Sequence, residues 1–115
     1  MALKRMIVEI GMGVDLTGAN YTKAAIRALR DALWHNSLTI AAAVGQTAED
    51  MYVEVSIGVP KPELVDKDSV IAVLPYGKGK VEVVKGGLEI MNDAGTNRTV
   101  MANAAAAVYL DIPEK

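Results

Sequence analysis

The sequence contains no cysteine and no phenylalanine, and it has only one tryptophan and four tyrosines among its 115 residues. Without cysteine the chain can form no disulfide, no thiolate metal site and no thiol nucleophile. The few aromatic side chains offer little for stacking on bases, and a formal net charge of −2 opposes binding to a polyanion. We therefore expect no nucleic-acid partner. We also expect no bound metal and no cofactor, because the sequence has a single histidine and no Walker loop, zinc signature or complete dinucleotide fingerprint.

Long apolar runs are also missing. No stretch approaches the ~20 apolar residues of a membrane span, and the apolar run at residues 6–10 is shorter than the core of a signal peptide. We therefore expect a cytoplasmic protein without a membrane partner. The length is that of one domain, so we expect a single domain over residues 1–115.

Hydrophobic periodicity and turn residues predict the elements. The strongest helix signal runs from about residue 21 to 35 after Asn20, a good N-cap residue. The alanine-rich segment 98–109 predicts a second helix, because alanine has the highest helix propensity. Residues 38–50 give no clear signal, with a short strand as one interpretation of 39–44. Strands are predicted at residues 6–10, 51–59, 69–74 and 80–84, the last two as an antiparallel hairpin with a longer loop, and extended structure resumes at 88–91.

Two segments share the pattern Gly-x-Asn-x-Thr-x-x-Ala. One begins at Gly18 and the other at Gly95, and each follows a predicted strand and a pair of glycines. Both are predicted to open a helix, where free backbone N–H groups favour anions. The pattern suggests an internal repeat of a strand, a glycine loop and a helix, at about residues 5–36 and 80–110. Glycine loops and asparagine caps are common devices, so chance similarity remains the alternative.

Five segments together resemble a family of small conserved hypothetical bacterial proteins first named after a Listeria reading frame. The segments are EIGMGVD (9–15), TKAAIRA (22–28), GVPKPELVD (58–66), PYG (75–77) and VMANAA (100–105). The resemblance spans nearly the whole chain. It implies a protein of this size and brings no activity with it.

The order and length of the elements are also similar to those of small ring-forming proteins, the trimeric chorismate mutase of bacilli and the trimeric enamine deaminases. That likeness implies an α+β fold, a mixed sheet of four or five strands with two helices packed on one face. It also implies a homo-oligomer, a trimer or a multiple of it, with sites between subunits. The small apolar side chains agree, because a modest core often gains buried area by oligomerising.

The sequence contains two clusters of polar residues that could form a ligand-binding site. In the first, Lys23 and Arg27 are four apart on one helix face, behind the predicted helix start, and could bind a carboxylate or phosphate. In the second, Arg98 lies at the start of the predicted helix 98–109, where a positive charge is unfavourable unless an anion offsets it. The predicted ligand-binding residues are Gly13, Asn20, Thr22, Lys23, Arg27, Asn97 and Arg98, and the predicted acid/base residues are Asp15 and Glu89.

The leading functional hypothesis is a small protein that binds an anionic metabolite at a subunit interface. In an enzymatic version, charge stabilisation and a carboxylate, Asp15 or Glu89, would supply the chemistry. The alternative is a structural or regulatory oligomeric module without catalytic activity. In the first cluster, the alternative makes Asp15 and Asn20 turn and cap residues and leaves Lys23 and Arg27 solvated.

Overall fold

The computed structural model describes residues 2–16, 18–34, 40–74 and 78–112. This part of the chain forms an α+β fold with one mixed five-stranded sheet and three α-helices, which confirms the predicted class. The elements are β1 (Ala2–Asp15), α1 (Tyr21–Trp34), α2 (Ile40–Ala43), β2 (Tyr52–Val59), α3 (Lys67–Ile71), β3 (Lys78–Lys85), β4 (Leu88–Met91) and β5 (Arg98–Ile112). Single 3-10 turns occupy Ala48–Asp50 and Pro62–Leu64.

Strand β5 is the centre of the sheet. One of its edges pairs antiparallel with β1 along the whole length of that strand. Its other edge pairs with β2 from Tyr109 to Asn103 and then with β4 from Met101 to Arg98, both antiparallel. Strand β3 lies beyond β2 and runs parallel to it. Because β1 and β5 are 14 and 15 residues long, the molecule is elongated, 60 × 22 × 20 Å.

The predicted second helix at 98–109 is wrong, because these residues belong to β5. Alternate residues of β5 are buried, from Val100 and Ala102 through Val108 and Leu110, which is the period of a strand. Pairing on both edges and burial against α1 outweigh the helix propensity of alanine. The second copy of the Gly-x-Asn-x-Thr-x-x-Ala pattern therefore lies in a β4–β5 hairpin rather than at a helix start.

The predicted strand at 69–74 and its hairpin with 80–84 are also wrong. Residues Lys67–Ile71 form α3, and the chain passes through this helix from β2 to the parallel strand β3. Asp66 caps α3, since its side chain accepts hydrogen bonds from the backbone nitrogens of Asp68 and Ser69. Likewise, residues 40–43 form α2 instead of the short strand considered above.

Gly11 and Gly13 lie inside β1, although their sequence suggests a turn after residue 10. A Cβ at Gly11 would come within 2.6 Å of the carbonyl oxygen of Ala28, and one at Gly13 would overlap the backbone of α1 in the same way. The facing side of α1 is lined with fully buried alanines, including Ala24, Ala28 and Ala32. The two glycines therefore let the helix backbone rest directly on β1.

The two faces of the sheet differ. Helices α1 and α3 cover one face, and the core lies beneath them, with Leu29, Ile57 and Leu110 among its largest buried side chains. On the other face, apolar side chains of β1 and β4 are exposed, and Ile10 is 70% accessible. Helices pack on one face as predicted, but only α1 is one of the two predicted helices, and α3 covers this face where the sequence predicts a strand.

Candidate functional site

The start of α1 is held against the end of β1 by Asp15. One carboxylate oxygen of Asp15 accepts a hydrogen bond from the backbone nitrogen of Asn20 at 2.9 Å. The Asn20 side chain in turn accepts from the backbone nitrogen of Lys23 at 3.0 Å, which confirms Asn20 as the N-cap. The side chain of Asp15 is only 7% exposed. The chain thus places one of its own carboxylates next to the positive end of the helix.

Lys23 and Arg27 both approach Asp15, as their spacing of four residues predicts. The Lys23 ammonium lies 3.9 Å and the Arg27 guanidinium 4.0 Å from the same carboxylate oxygen. Arg27 also donates a hydrogen bond to the carbonyl oxygen of Val14 at 2.6 Å. Both side chains are about half exposed, so their remaining N–H groups face solvent.

Glu89 belongs to the same site from the other side of β5. In the register of the sheet, Asp15 of β1 and Glu89 of β4 both pair with Val100, one on each side. The two carboxylate-bearing residues therefore lie in one row on the helix-covered face, with backbones about 10 Å apart at the usual strand spacing. The structure brings together the two acid/base residues that the sequence suggested.

Glu89 has two partners. The hydroxyl of Tyr21 donates a hydrogen bond to Glu89 Oε1, and the guanidinium of Arg98 lies 3.9 Å from Oε2. Tyr21 is the first residue of α1 and is 5% exposed. The hydrogen bond to the Glu89 carboxylate raises the pKa of the Tyr21 hydroxyl, and burial raises it further. The nearby Arg98 opposes this pKa shift by a smaller amount.

The other predicted ligand-binding residues make contacts within the chain. Gly13 lies beneath α1, where its small size is needed. The hydroxyl of Thr22 accepts from the backbone nitrogen of Asp66 at 2.9 Å and so ties α1 to the segment before α3. Asn97 closes the β4–β5 hairpin, where its backbone nitrogen donates to the side chain of Asn92 at 3.2 Å. Asn97 and Arg98 therefore do not lie at the start of a helix. Because the segment 98–109 is a strand, it offers no free helix N–H groups to bind an anion, although the sequence predicts them there.

Tyr21 is a site residue that the sequence does not indicate. It is the first residue of the predicted helix, and no pattern links it to a carboxylate 68 residues later. Asp31 is not indicated either, although its side chain accepts a hydrogen bond from the backbone nitrogen of Met12 at 2.9 Å. This hydrogen bond and the one from Arg27 to the carbonyl oxygen of Val14 occupy backbone groups on the outer edge of β1. Covering the backbone of an edge strand in this way protects it against unwanted strand pairing.

A cavity lies at the other end of the sheet from Asp15 and Glu89. It has a volume of about 510 Å³ and is lined by Gln46, Glu49, Asp50, Met51, Tyr52, Lys78 and Asp111. Oδ1 of Asp111 is buried there and has no hydrogen-bond partner among the described residues.

Within the described part of the chain, no three acidic or histidine side chains come together in a group that could hold a metal ion. None of the helices in residues 2–16, 18–34, 40–74 and 78–112 is long and apolar enough to cross a membrane.

Comparison with solved structures defines the fold. A crystal structure of an FtsZ-like protein of unknown function from Nostoc punctiforme PCC 73102 is 36% identical in sequence. The similarity covers 97% of this chain and 99% of that one, with a TM-score of 0.86. The fold is therefore FtsZ-like, and the more specific likeness to the trimeric chorismate mutase and enamine deaminases is not confirmed.

Comparison with protein families gives the family. The model of a family described as "Conserved hypothetical protein (Lin0512_fam)" matches residues 5–109. The chain belongs to this family, which confirms the resemblance drawn from its sequence segments. The search of curated proteins found no match.

Proposed function

We propose that this protein binds a small anionic metabolite, through a carboxylate or phosphate group, at the end of α1 that meets β1 and β4. The observation that supports the proposal is the grouping of three cations, Lys23, Arg27 and Arg98, around the Asp15–Glu89 row. Three cations face two carboxylates, a local excess of one positive charge in a chain with a formal net charge of −2.

The distances between the charges favour a ligand as a further partner. Each cation lies 3.9–4.0 Å from its carboxylate, whereas an N–H···O hydrogen bond spans about 2.7–3.2 Å. The carboxylates therefore hold the cations in place without using up their N–H donors. Lys23, Arg27 and Arg98 are 52%, 45% and 38% exposed, so those donors are accessible from solvent.

The same contacts bear on catalysis. Asp15 already accepts from a backbone nitrogen, and Glu89 already accepts from Tyr21. In an enzyme built on this site, the cations would stabilise negative charge on the substrate. Glu89 is the better acid/base candidate, because its side chain is 25% exposed against 7% for Asp15. Asp15 would position Lys23 and Arg27.

A structural or regulatory module without catalysis is the second candidate. The observation that favours it is the exposed apolar face of the sheet, which lies on the opposite side from the charged cluster. Since the cluster and this face are on different sides, we place the metabolite site within one chain rather than between subunits.

Thermal denaturation in the presence of anions tests the proposal. A ligand that binds only the folded state raises the melting temperature, and inorganic phosphate, pyrophosphate and citrate serve as probes. We expect at least one probe to stabilise the wild type, and we expect Lys23→Met and Arg98→Met to reduce that effect. Arg30→Met is the matched control, because it removes an exposed cation of α1 outside the cluster.

Two results would contradict the proposal. In the first, none of the three anions changes the melting temperature of the wild type. In the second, Arg30→Met weakens the response as much as Lys23→Met and Arg98→Met do, which would make the effect one of general charge.

A further inference from the structure

The face of the sheet that α1 and α3 leave uncovered carries a continuous apolar surface. On β1 it consists of Val8, Ile10 and Met12, and on β4 of Leu88 and Ile90. We call these five residues the open face. Met101 of β5 connects the two parts, since it pairs with Val14 on one side and with Leu88 on the other.

The open face is large for an uncovered surface. Its five side chains are 45–70% exposed, and Ile10 and Ile90 are the most exposed of them. Together they amount to roughly 500 Å² of apolar surface, near the upper limit for the largest patch of a monomer. A standard protein interface buries about 800 Å² on each partner. The open face, with the polar strip beside it, is therefore enough for one such interface.

The polar strip beside the open face limits what can cover it. On β2 and β3 the same side of the sheet carries two lysines and two glutamates, Lys78, Lys80, Glu54 and Glu82, and Lys80 lies 3.6 Å from Glu54. A strip with equal numbers of both charges gives no attraction to an anionic lipid surface. It can instead match the same strip on another copy, because a two-fold interface brings identical surfaces together.

The middle of this side of the sheet is nearly flat apart from Asn103, which lies between Met12 and Gly58 and is exposed. Ala105 and Ala107 of β5 and Ser56 and Gly58 of β2 have the small side chains there. Stacked sheets pack about 10 Å apart, and small side chains allow that approach while the larger residues of the open face interlock. Both the shape and the charge of this side of the sheet therefore fit the same side of a second copy.

We propose that a second copy of this chain covers the open face, sheet against sheet, with α1 and α3 on the outside of the pair. This goes beyond the proposed metabolite site, which lies on the helix-covered side. The two proposals fail separately: a substitution in the open face leaves the response to anions unchanged, and Lys23→Met leaves the oligomeric mass unchanged.

The test is the mass in solution, measured by sedimentation equilibrium over a range of concentrations. One chain is 12.2 kDa. We expect twice this mass for the wild type and a single-chain mass for Ile10→Glu. The matched control is Leu64→Glu, which adds the same charge at an apolar residue that is 55% exposed on the helix side, and its mass should equal that of the wild type. A single-chain mass for the wild type, or an unchanged mass for Ile10→Glu, overturns the proposal.

A second measurement covers the case in which Ile10→Glu fails to fold. Because the chain has no cysteine, Met12→Cys and Leu64→Cys each carry one thiol, at positions with similar exposure in the single chain. We expect Met12→Cys to be alkylated slowly when concentrated and faster on dilution, whereas Leu64→Cys reacts fast throughout. Equal rates for both variants overturn the proposal. So does protection of Met12→Cys at a single-chain mass, since a lipid or another small apolar molecule would then be the occupant.

Discussion

The hydroxyl of Tyr21 donates a hydrogen bond to the carboxylate of Glu89, which joins the first residue of α1 to β4 across 68 positions of the chain. Glu89 also lies 3.9 Å from Arg98, the first residue of β5. This hydrogen bond connects the start of the helix to the β4–β5 hairpin at the proposed site. The position of Glu89 in the site therefore depends on the hydroxyl proton of Tyr21.

We expect Tyr21 to ionise at a higher pH than an unperturbed tyrosine, whose pKa is about 10. The hydrogen bond to Glu89 and burial both raise the Tyr21 pKa above 10.0, so one of the four tyrosines should be late in an absorbance titration of tyrosinate. Tyr21→Phe should remove that late component. If Tyr21→Phe leaves the late part of the titration curve unchanged, the hydrogen bond is not formed in solution.

The same pair should contribute to stability in a pH-dependent way. Because the Tyr21 pKa is raised in the folded state, its contribution is complete below about pH 10, the unfolded value, and is lost as the pH rises through the folded pKa. Tyr21→Phe should lower the free energy of unfolding by about 1 kcal/mol at neutral pH. Urea denaturation at neutral and at alkaline pH measures both effects. A cost that is the same at every pH would contradict the expectation.

Gly13→Ala should destabilise the protein strongly. The added Cβ would lie 2.7 Å from the carbonyl carbon of Arg27, and neither backbone can move without breaking the helix or the sheet. We expect a loss of about 1–3 kcal/mol in the free energy of unfolding, or more. Gly58→Ala is the control inside β2, because its Cβ would meet only ordinary contacts, the nearest at 3.5 Å. Equal urea midpoints for the two variants would mean that α1 does not rest on β1 as described.

Asn20→Ala should destabilise α1. Its side chain caps the helix by accepting from the backbone nitrogen of Lys23, and loss of such a cap costs about 1 kcal/mol. Asn20→Ser should restore most of that free energy, because serine is an equally good cap. Chemical denaturation of the two variants checks the prediction, and an Asn20→Ser variant no more stable than Asn20→Ala would count against the cap.

Asp66→Asn should lower the melting temperature at neutral pH, with little effect in acid. Hydrogen bonds from the hydroxyl and the backbone nitrogen of Ser69 hold the Asp66 pKa below 3.8. A lowered pKa gives stability that is present above the unfolded value and is lost as the pH falls through the folded value. The difference between wild type and variant should therefore shrink below about pH 4. A melting-temperature difference that does not change with pH would contradict the role of the carboxylate.

Local signals were enough to predict some parts of this fold. The apolar stripe and Asn20 predict α1 and its start, and the strict alternation from Val53 to Val59 predicts β2. Lys23 and Arg27 could be placed together because helical spacing fixes their side chains on one face. In each of these cases the information lies within a few neighbouring residues.

Segments whose structure depends on distant partners could not be predicted in this way. Alanine at 102, 104 and 106 favours a helix locally, yet β5 is a strand because two neighbouring strands pair with it and α1 requires small side chains beneath it. Similarly, Gly11 and Gly13 are typical of a turn, although they serve close packing under the helix. The joining of Asp15 and Glu89 in one row depends on the register of three strands, which no local pattern contains.

The central position of β5 has a consequence for biosynthesis. It is the last strand of the described chain, yet it lies between β1 and the strands β2 and β4, and its pairing with β1 joins Ala2 to Ile112. During translation β1, β2 and β4 therefore emerge from the ribosome before their common partner exists. Contacts this distant in sequence also form slowly. The sheet can then be completed only after β5 has left the exit tunnel, and until that moment the backbone groups of β1 that pair with β5 have no strand partner among the described residues.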